Sequence, residues 1–140
     1  MKRFEITVEI QAAAQKAWAV LLDVERWPEW TASMQRVTLL DGGPLRVGSR
    51  ARVEQPGLPA AVWQVTELDG AVRSFTWTSR GPGLQVAGLH RVEEFGRHCK
   101  VTLAIEISGL LSALVARPLR GLNQKYLGFE AAGLRERCEA

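Results

Sequence analysis

Cysteine, histidine and tyrosine are scarce in this chain, with two, two and one among 140 residues. Two cysteines far apart in sequence, Cys99 and Cys138, exclude the disulfide framework of a small secreted domain and offer no thiolate metal centre. No apolar run approaches the ~18 to 20 residues of a membrane-spanning helix. The opening Met1-Lys2-Arg3-Phe4-Glu5 puts an acid where a signal peptide needs its apolar stretch, so a cytoplasmic location is expected. The chain also has no paired carboxylates, and no serine or cysteine stands at a telling spacing from a base. Gly42-Gly43-Pro44 and Gly81-Pro82-Gly83 lack the strand–glycine–helix context of a phosphate cradle and read as turns. Neither cofactor nor metal is therefore expected. The net charge of +3 is spread along the chain among interleaved acids, and no clustered basic face or reading element for nucleic acid is visible.

What is there is ordinary globular material, 46% hydrophobic and 24% charged, with five tryptophans. The length suits one domain with one core, and no repeat or linker divides residues 1–140. Residues 3–10 alternate, with Phe4, Ile6, Val8 and Ile10 on one side, which is the period of a half-buried strand. Residues 12–22 shift to helical spacing through Ala14, Ala17, Trp18, Leu21 and Leu22. Residues 26–30, Arg-Trp-Pro-Glu-Trp, predict a second short helix with Pro28 at its first position. From 35 to 109 strand patterns alternate with turn signals, giving about six strands in an antiparallel meander. From 110 to 136 helical spacing returns, with Leu111, Val115, Leu122, Tyr126 and Phe129 along one side. Pro118 should kink that helix.

Hairpin geometry overlays the strands, because directly paired residues point to the same face. A two-residue turn at Gly96-Arg97 pairs Phe95 with His98, Val92 with Val101, His90 with Leu103 and Gly88 with Ile105. A four-residue loop around Gly81-Pro82-Gly83 sets Trp77 beside Gly88 and Phe75 beside His90. A bulged three-residue loop near Asp69-Gly70 places Trp63 opposite Trp77 and Val65 opposite Phe75. One face thus collects Trp63, Phe75, Trp77, Gly88, His90 and Leu103, while Gln64, Thr76, Arg91, Lys100 and Glu106 meet water. The long terminal helix is the only element able to cover the apolar face, and a glycine beside a tryptophan leaves room beneath it.

This order of elements resembles the helix-grip, START-like superfamily (SRPBCC), the polyketide cyclase/dehydrase and lipid-transport group. The resemblance covers nearly the whole chain and rests on four stretches. These are Asp23-Val24-Glu25-Arg26-Trp27-Pro28-Glu29-Trp30, Val62-Trp63-Gln64-Val65-Thr66-Glu67-Leu68, Phe75-Thr76-Trp77 and Gly88-Leu89-His90-Arg91-Val92-Glu93. It implies an α+β helix-grip fold, a curved antiparallel sheet of about seven strands wrapped around the terminal helix. It further implies a ligand cavity between sheet and helix, walled here by Trp30, Met34, Val53, Trp63, Phe75, Trp77, His90, Leu103, Leu122 and Tyr126. The superfamily shares no catalytic motif, so no catalytic role carries over.

Three functions fit these readings. The first is binding or carriage of a hydrophobic small molecule such as a lipid, isoprenoid or aromatic polyketide-like compound, by a monomer or homodimer. The second is a cyclase or dehydratase in which His90 acts as base or acid and Tyr126 as donor. The third is a protein-interaction domain using the outer sheet face or residues 117–137. His90 is either a ligand contact or a core histidine satisfied by Tyr126. His98, beside a turn, is expected in solvent. Trp18 and Trp27 fall on helix faces needed for packing, whereas Trp30, Trp63 and Trp77 are pocket residues.

Overall fold

A computed structural model describes residues 1–140. The first strand, β1 (Lys2–Ile10), leads into α1 (Ala14–Leu22) and a short 3₁₀ helix (Val24–Glu29). Six strands follow, β2 (Arg36–Leu39), β3 (Arg50–Glu54), β4 (Ala61–Asp69), β5 (Ser74–Gly81), β6 (Leu84–Phe95) and β7 (His98–Ser108). The chain ends in α2 (Ser112–Ala116) and α3 (Arg120–Glu139). All seven strands form one antiparallel sheet in the order β1-β7-β6-β5-β4-β3-β2, so the meander runs from β2 to β7 and β1 closes beside β7.

The turn chemistry fixes the register where it is tight. Phe95 pairs with His98, Val92 with Val101, His90 with Leu103 and Gly88 with Ile105. The β5–β6 turn is tighter than the expected four-residue loop, only Pro82-Gly83 between the paired Gly81 and Leu84, and the register is the expected one, with Trp77 paired with Gly88 and Phe75 with His90. The β4–β5 hairpin departs from the expected register. Its loop holds four residues, between the paired Asp69 and Ser74, and a bulge at Thr66 inserts one more residue into β4. Val65 therefore pairs with Trp77 and Leu68 with Phe75. The bulge lets Val65 and Leu68 face inward although three residues apart, and Trp63 stays on that face with its ring 5.8 Å from Trp77.

On the helical side, α1 buries Ala14, Ala17, Trp18 and Leu21, the expected stripe. The 3₁₀ helix starts at Val24, so Pro28 lies near its end rather than at its first position. Its Trp27 is 1% exposed and donates Nε1–H to Leu21 O at 3.0 Å, which satisfies the indole where water cannot reach.

The terminal helix is broken, not merely kinked. Proline lacks an N–H and its ring crowds the preceding turn, so α2 ends at Ala116 and α3 begins at Arg120. The restart also changes the phase. Tyr126, Leu127, Glu130, Ala131, Leu134 and Cys138 are buried, while Phe129 is exposed and Leu122 half-buried. Gly133 explains the register of contact, since a Cβ there would lie 1.7 Å from Trp30 O. The helix comes closest to the 3₁₀ segment at a residue that has no side chain. From there α3 packs chiefly on β1, with lesser contact to β7 and α1, and leaves the middle strands uncovered.

Candidate ligand cavity

Between those middle strands and the broken helix lies a cavity of about 230 Å³. Eighteen of its 25 lining residues are hydrophobic, so a guest is held mainly by apolar burial. Among the expected wall residues, Met34, Val53, Trp63, Trp77, His90, Leu103 and Tyr126 line it. Trp30, Phe75 and Leu122 do not. Trp30 leans on Trp27, 5.5 Å between rings, with its own indole nitrogen buried and without a partner. Phe75 lies behind His90, stacked at 4.2 Å. Leu122 is displaced by the shifted helix phase, and Asn123 stands in its place on the wall. Trp27 lines the cavity as well as packing the core.

Gly88 sets the depth of the wall. A Cβ there would come within 3.0 Å of Trp77 Nε1 and 3.6 Å of His90 Cε1, so its absence leaves room for both rings, which stand nearly perpendicular at 82°. The β3–β4 loop, residues 55–60, borders the cavity, and its Leu58 and Pro59 join the lining. Tyr126 donates its hydroxyl to Pro56 O, and Gln55 Nε2 donates to Ser33 O at 3.2 Å, so the loop is tied to α3 and to the segment before β2. Tyr126 thus neither satisfies His90 nor reaches open water.

His90 is 5% exposed, with Nδ1 3.2 Å from Phe75 O. A carbonyl only accepts, so Nδ1 carries the hydrogen, and Nε2 of the neutral ring is left as an acceptor. Burial lowers its pKa to about 4, against the opposing pull of the Phe75 hydrogen bond. At neutral pH His90 is an uncharged and weakly basic polar contact. His98 stacks on Phe95 at 5.9 Å and is half-buried, not free in solvent.

The strongest chemical group in the cavity escaped the sequence reading. Glu130 is 8% exposed and lines the cavity from α3. Burial raises its pKa to about 7, only partly offset by the neighbouring Ser33 hydroxyl. Ser33 and Thr31 are themselves buried and joined, Thr31 Oγ1 to Ser33 Oγ at 3.0 Å, so the carboxyl stands on a small polar base. Seven residues earlier on the same helix, the buried Nδ2 of Asn123 has no hydrogen-bond partner. The available signal was position: Glu130 lies four residues after Tyr126 and four before Leu134, on the inward stripe. No group of three or more His, Cys, Asp or Glu side chains comes together to hold a metal. No helix is long and apolar enough to cross a membrane.

Residues 1–139 match the family model described as polyketide cyclase/dehydrase and lipid transport. The chain belongs to this family. Solved structures carry the same fold at low identity. The Zhui aromatase/cyclase from Streptomyces sp. R1128 superposes with a TM-score of 0.81 at 17% identity, over 99% of this chain and 93% of that one. Norcoclaurine synthase from Thalictrum flavum gives 0.75 at 15%, over 97% and 85%. The di-domain ARO/CYC BexL gives 0.74 at 20%, over 97% of this chain and 46% of BexL, so the chain spans less than half of that protein. A sequence search of curated proteins finds no match. The polyketide cyclase/dehydrase and lipid transport family therefore supplies the seven-stranded helix-grip frame, and the chemistry of the cavity must be read from its own residues.

Proposed function

We propose that this chain, acting as one ligand-binding domain, holds a compact hydrophobic molecule, ring-shaped for preference, in the cavity beneath α2 and α3. The observation that carries the reading is the cavity itself, apolar over most of its wall and punctuated by His90, Asn123 and Glu130. At about 30 Å³ per water, its volume equals roughly seven or eight waters, which suits a small ring compound better than a diacyl lipid. Trp27, Trp63 and Trp77 offer flat apolar surface, and the three polar groups orient the guest. Both cysteines are free and buried, which suits a reducing cytoplasm. Tryptophan quenching by a panel of aromatic and isoprenoid compounds tests the reading, with native mass spectra of gently purified protein. Saturable quenching and a retained adduct are expected; a protein that neither quenches nor carries an adduct overturns it.

A second reading, a dehydratase or cyclase, gains support from Glu130 rather than from the pair first considered. His90 is too weak a base and the Tyr126 hydroxyl is engaged by Pro56 O. A carboxyl titrating near neutrality in an apolar site suits proton transfer. Its acid form would give a proton to a leaving hydroxyl, which departs as water, and the carboxylate would take a proton from the adjacent carbon. On this reading Glu130→Gln keeps ligand binding and abolishes turnover of a β-hydroxy ketone, while His90→Gln keeps both. Undiminished turnover by Glu130→Gln removes the acid from the mechanism.

A further inference from the structure

The short α2 segment presents three different faces, and only two of them meet protein. Val115 and, just past the helix, Leu119 line the cavity. Ala113, Ala116, Arg117 and Arg120 border a separate open groove of about 860 Å³ between β1 and the start of α3. The third face looks outward. Leu110 is 95% exposed, Leu114 70% and Leu111 43%, an apolar cluster at the cavity's edge with nothing over it. Scattered single leucines on a surface need no explanation, but three within five residues do.

Along this stretch of chain the charges are of one sign, and the acid lining the groove beside it, Glu5, is paired with Arg3. Residues 107–129 contain no Asp or Glu, and they include Arg117, Arg120 and Lys125. None of these three, nor Lys2 across the groove, takes part in an ion pair, whereas Arg3 is held by Glu5 and Glu106. Exposed leucines rimmed by unpaired cations match an anionic bilayer, where the leucines enter the acyl boundary and the cations meet lipid phosphates. The segment is also firmly based. Leu111 N–H donates to Gly83 O at 2.8 Å, and a Cβ on Gly109 would come within 2.6 Å of that same oxygen. The leucines are thus presented on a fixed platform.

We infer that Leu110, Leu111 and Leu114, with Arg117, Arg120 and Lys125, form a docking face for an anionic lipid bilayer. Because Val115 and Leu119 of the same segment wall the cavity, docking brings the cavity's edge to the bilayer, from which an apolar guest can pass. That exchange role rests on the ligand-binding reading above; the docking does not.

Flotation of the full chain, without ligand, with vesicles of phosphatidylcholine alone or mixed with phosphatidylglycerol tests the docking. Binding is expected to the mixed vesicles, weakening as salt is raised, and to be lost in Leu110→Asp/Leu114→Asp. Charge reversal in Arg117→Glu/Arg120→Glu is expected to lower it more than tenfold. Val72→Asp, also at an exposed apolar residue (51%) but at the β4–β5 turn on the opposite end of the sheet, is expected to bind like the parent. Gly88→Val is expected to impair quenching by ligands while leaving vesicle binding intact, which separates the two proposals. Absence of binding to anionic vesicles, or binding indifferent to the leucine and arginine changes, overturns the inference. So does a dimer in sedimentation that the leucine changes dissolve while vesicles remain unbound, since the cluster would then be covered by a second copy.

Discussion

Along β6 the inward residues change from buried Val92 and His90 to half-buried Val86 and Leu84, and the covering elements change with them. At the Val92 end, α1 and the 3₁₀ helix press Trp18 and Trp27 onto Phe75, with ring centroids 6.2 and 6.4 Å away. Ile10, Leu21, Val101 and Cys99 complete a core with almost no exposed surface. At the Leu84 end the cover is α2 and the break around Pro118, and the space below is hollow. The same strands serve both ends, so strand composition does not make the cavity. What makes it is two helices pressed close on one side and an interrupted one on the other, with Gly88 at the boundary between them.

Stability should therefore depend on the filled end and affinity on the hollow end. Phe75→Ala removes a ring that is 1% exposed and should cost about 3 to 5 kcal/mol in urea unfolding. Trp63→Ala, at the cavity wall, should cost much less and instead abolish most ligand quenching. If both changes cost the same stability, the distinction between the ends fails.

The two buried titratable groups offer a second test. His90, near pKa 4 in the fold against 6.5 when free, favours the fold above pH 6.5 and loses that contribution as pH falls through 4. Glu130, near 7 against 4.5, favours it below pH 4.5 and loses that contribution as pH rises through 7. The two slopes oppose each other, so their sum should be nearly flat between pH 4.5 and 6.5. In Glu130→Gln the His90 slope should emerge, with stability rising by about 3 kcal/mol from pH 4 to 6.5; His90→Gln should show a fall of similar size from pH 4.5 to 7. Chemical denaturation across that range checks both.

Smaller effects sharpen the boundary. Gly88→Val must push aside Trp77, so a stability cost of about 1 to 3 kcal/mol is expected together with at least a tenfold loss of ligand affinity by quenching titration. Tyr126→Phe loses one hydrogen bond to Pro56 and should cost about 1 kcal/mol. Stopped-flow release should be faster in that variant, because the β3–β4 loop bordering the cavity is no longer tied to α3.

The legible part of this molecule was the part governed by tight turns. Gly96-Arg97 admits few geometries and gives the pairing of His90 with Leu103, while a four-residue loop and the two-residue Pro82-Gly83 turn share one register, so the pairing of Trp77 with Gly88 follows from either. The β4 bulge at Thr66 has no such marker, because an extra residue inside a strand is set by tertiary curvature rather than by turn chemistry. Pro118 announced an interruption, yet a count of threes and fours carried across it loses the helix phase. That loss put Leu122 on the wall in place of Asn123. Glu130 is hidden in the sequence for a different reason: strand register singles out ionisable groups on the sheet face alone, and a carboxylate on a helix normally looks outward.

Gly133 acts on all of this from outside the cavity. Because only a residue without a side chain can meet Trp30 O, the helix has a single permitted rotation about its own axis, much as a notch admits a key one way round. Glu130 lies three residues before that notch and Tyr126 seven, close to one and two turns, so both are swung inward together. A larger residue at 133 would therefore rewrite the cavity's chemistry without touching its wall, exchanging an acid and a latch for whatever the helix next presented.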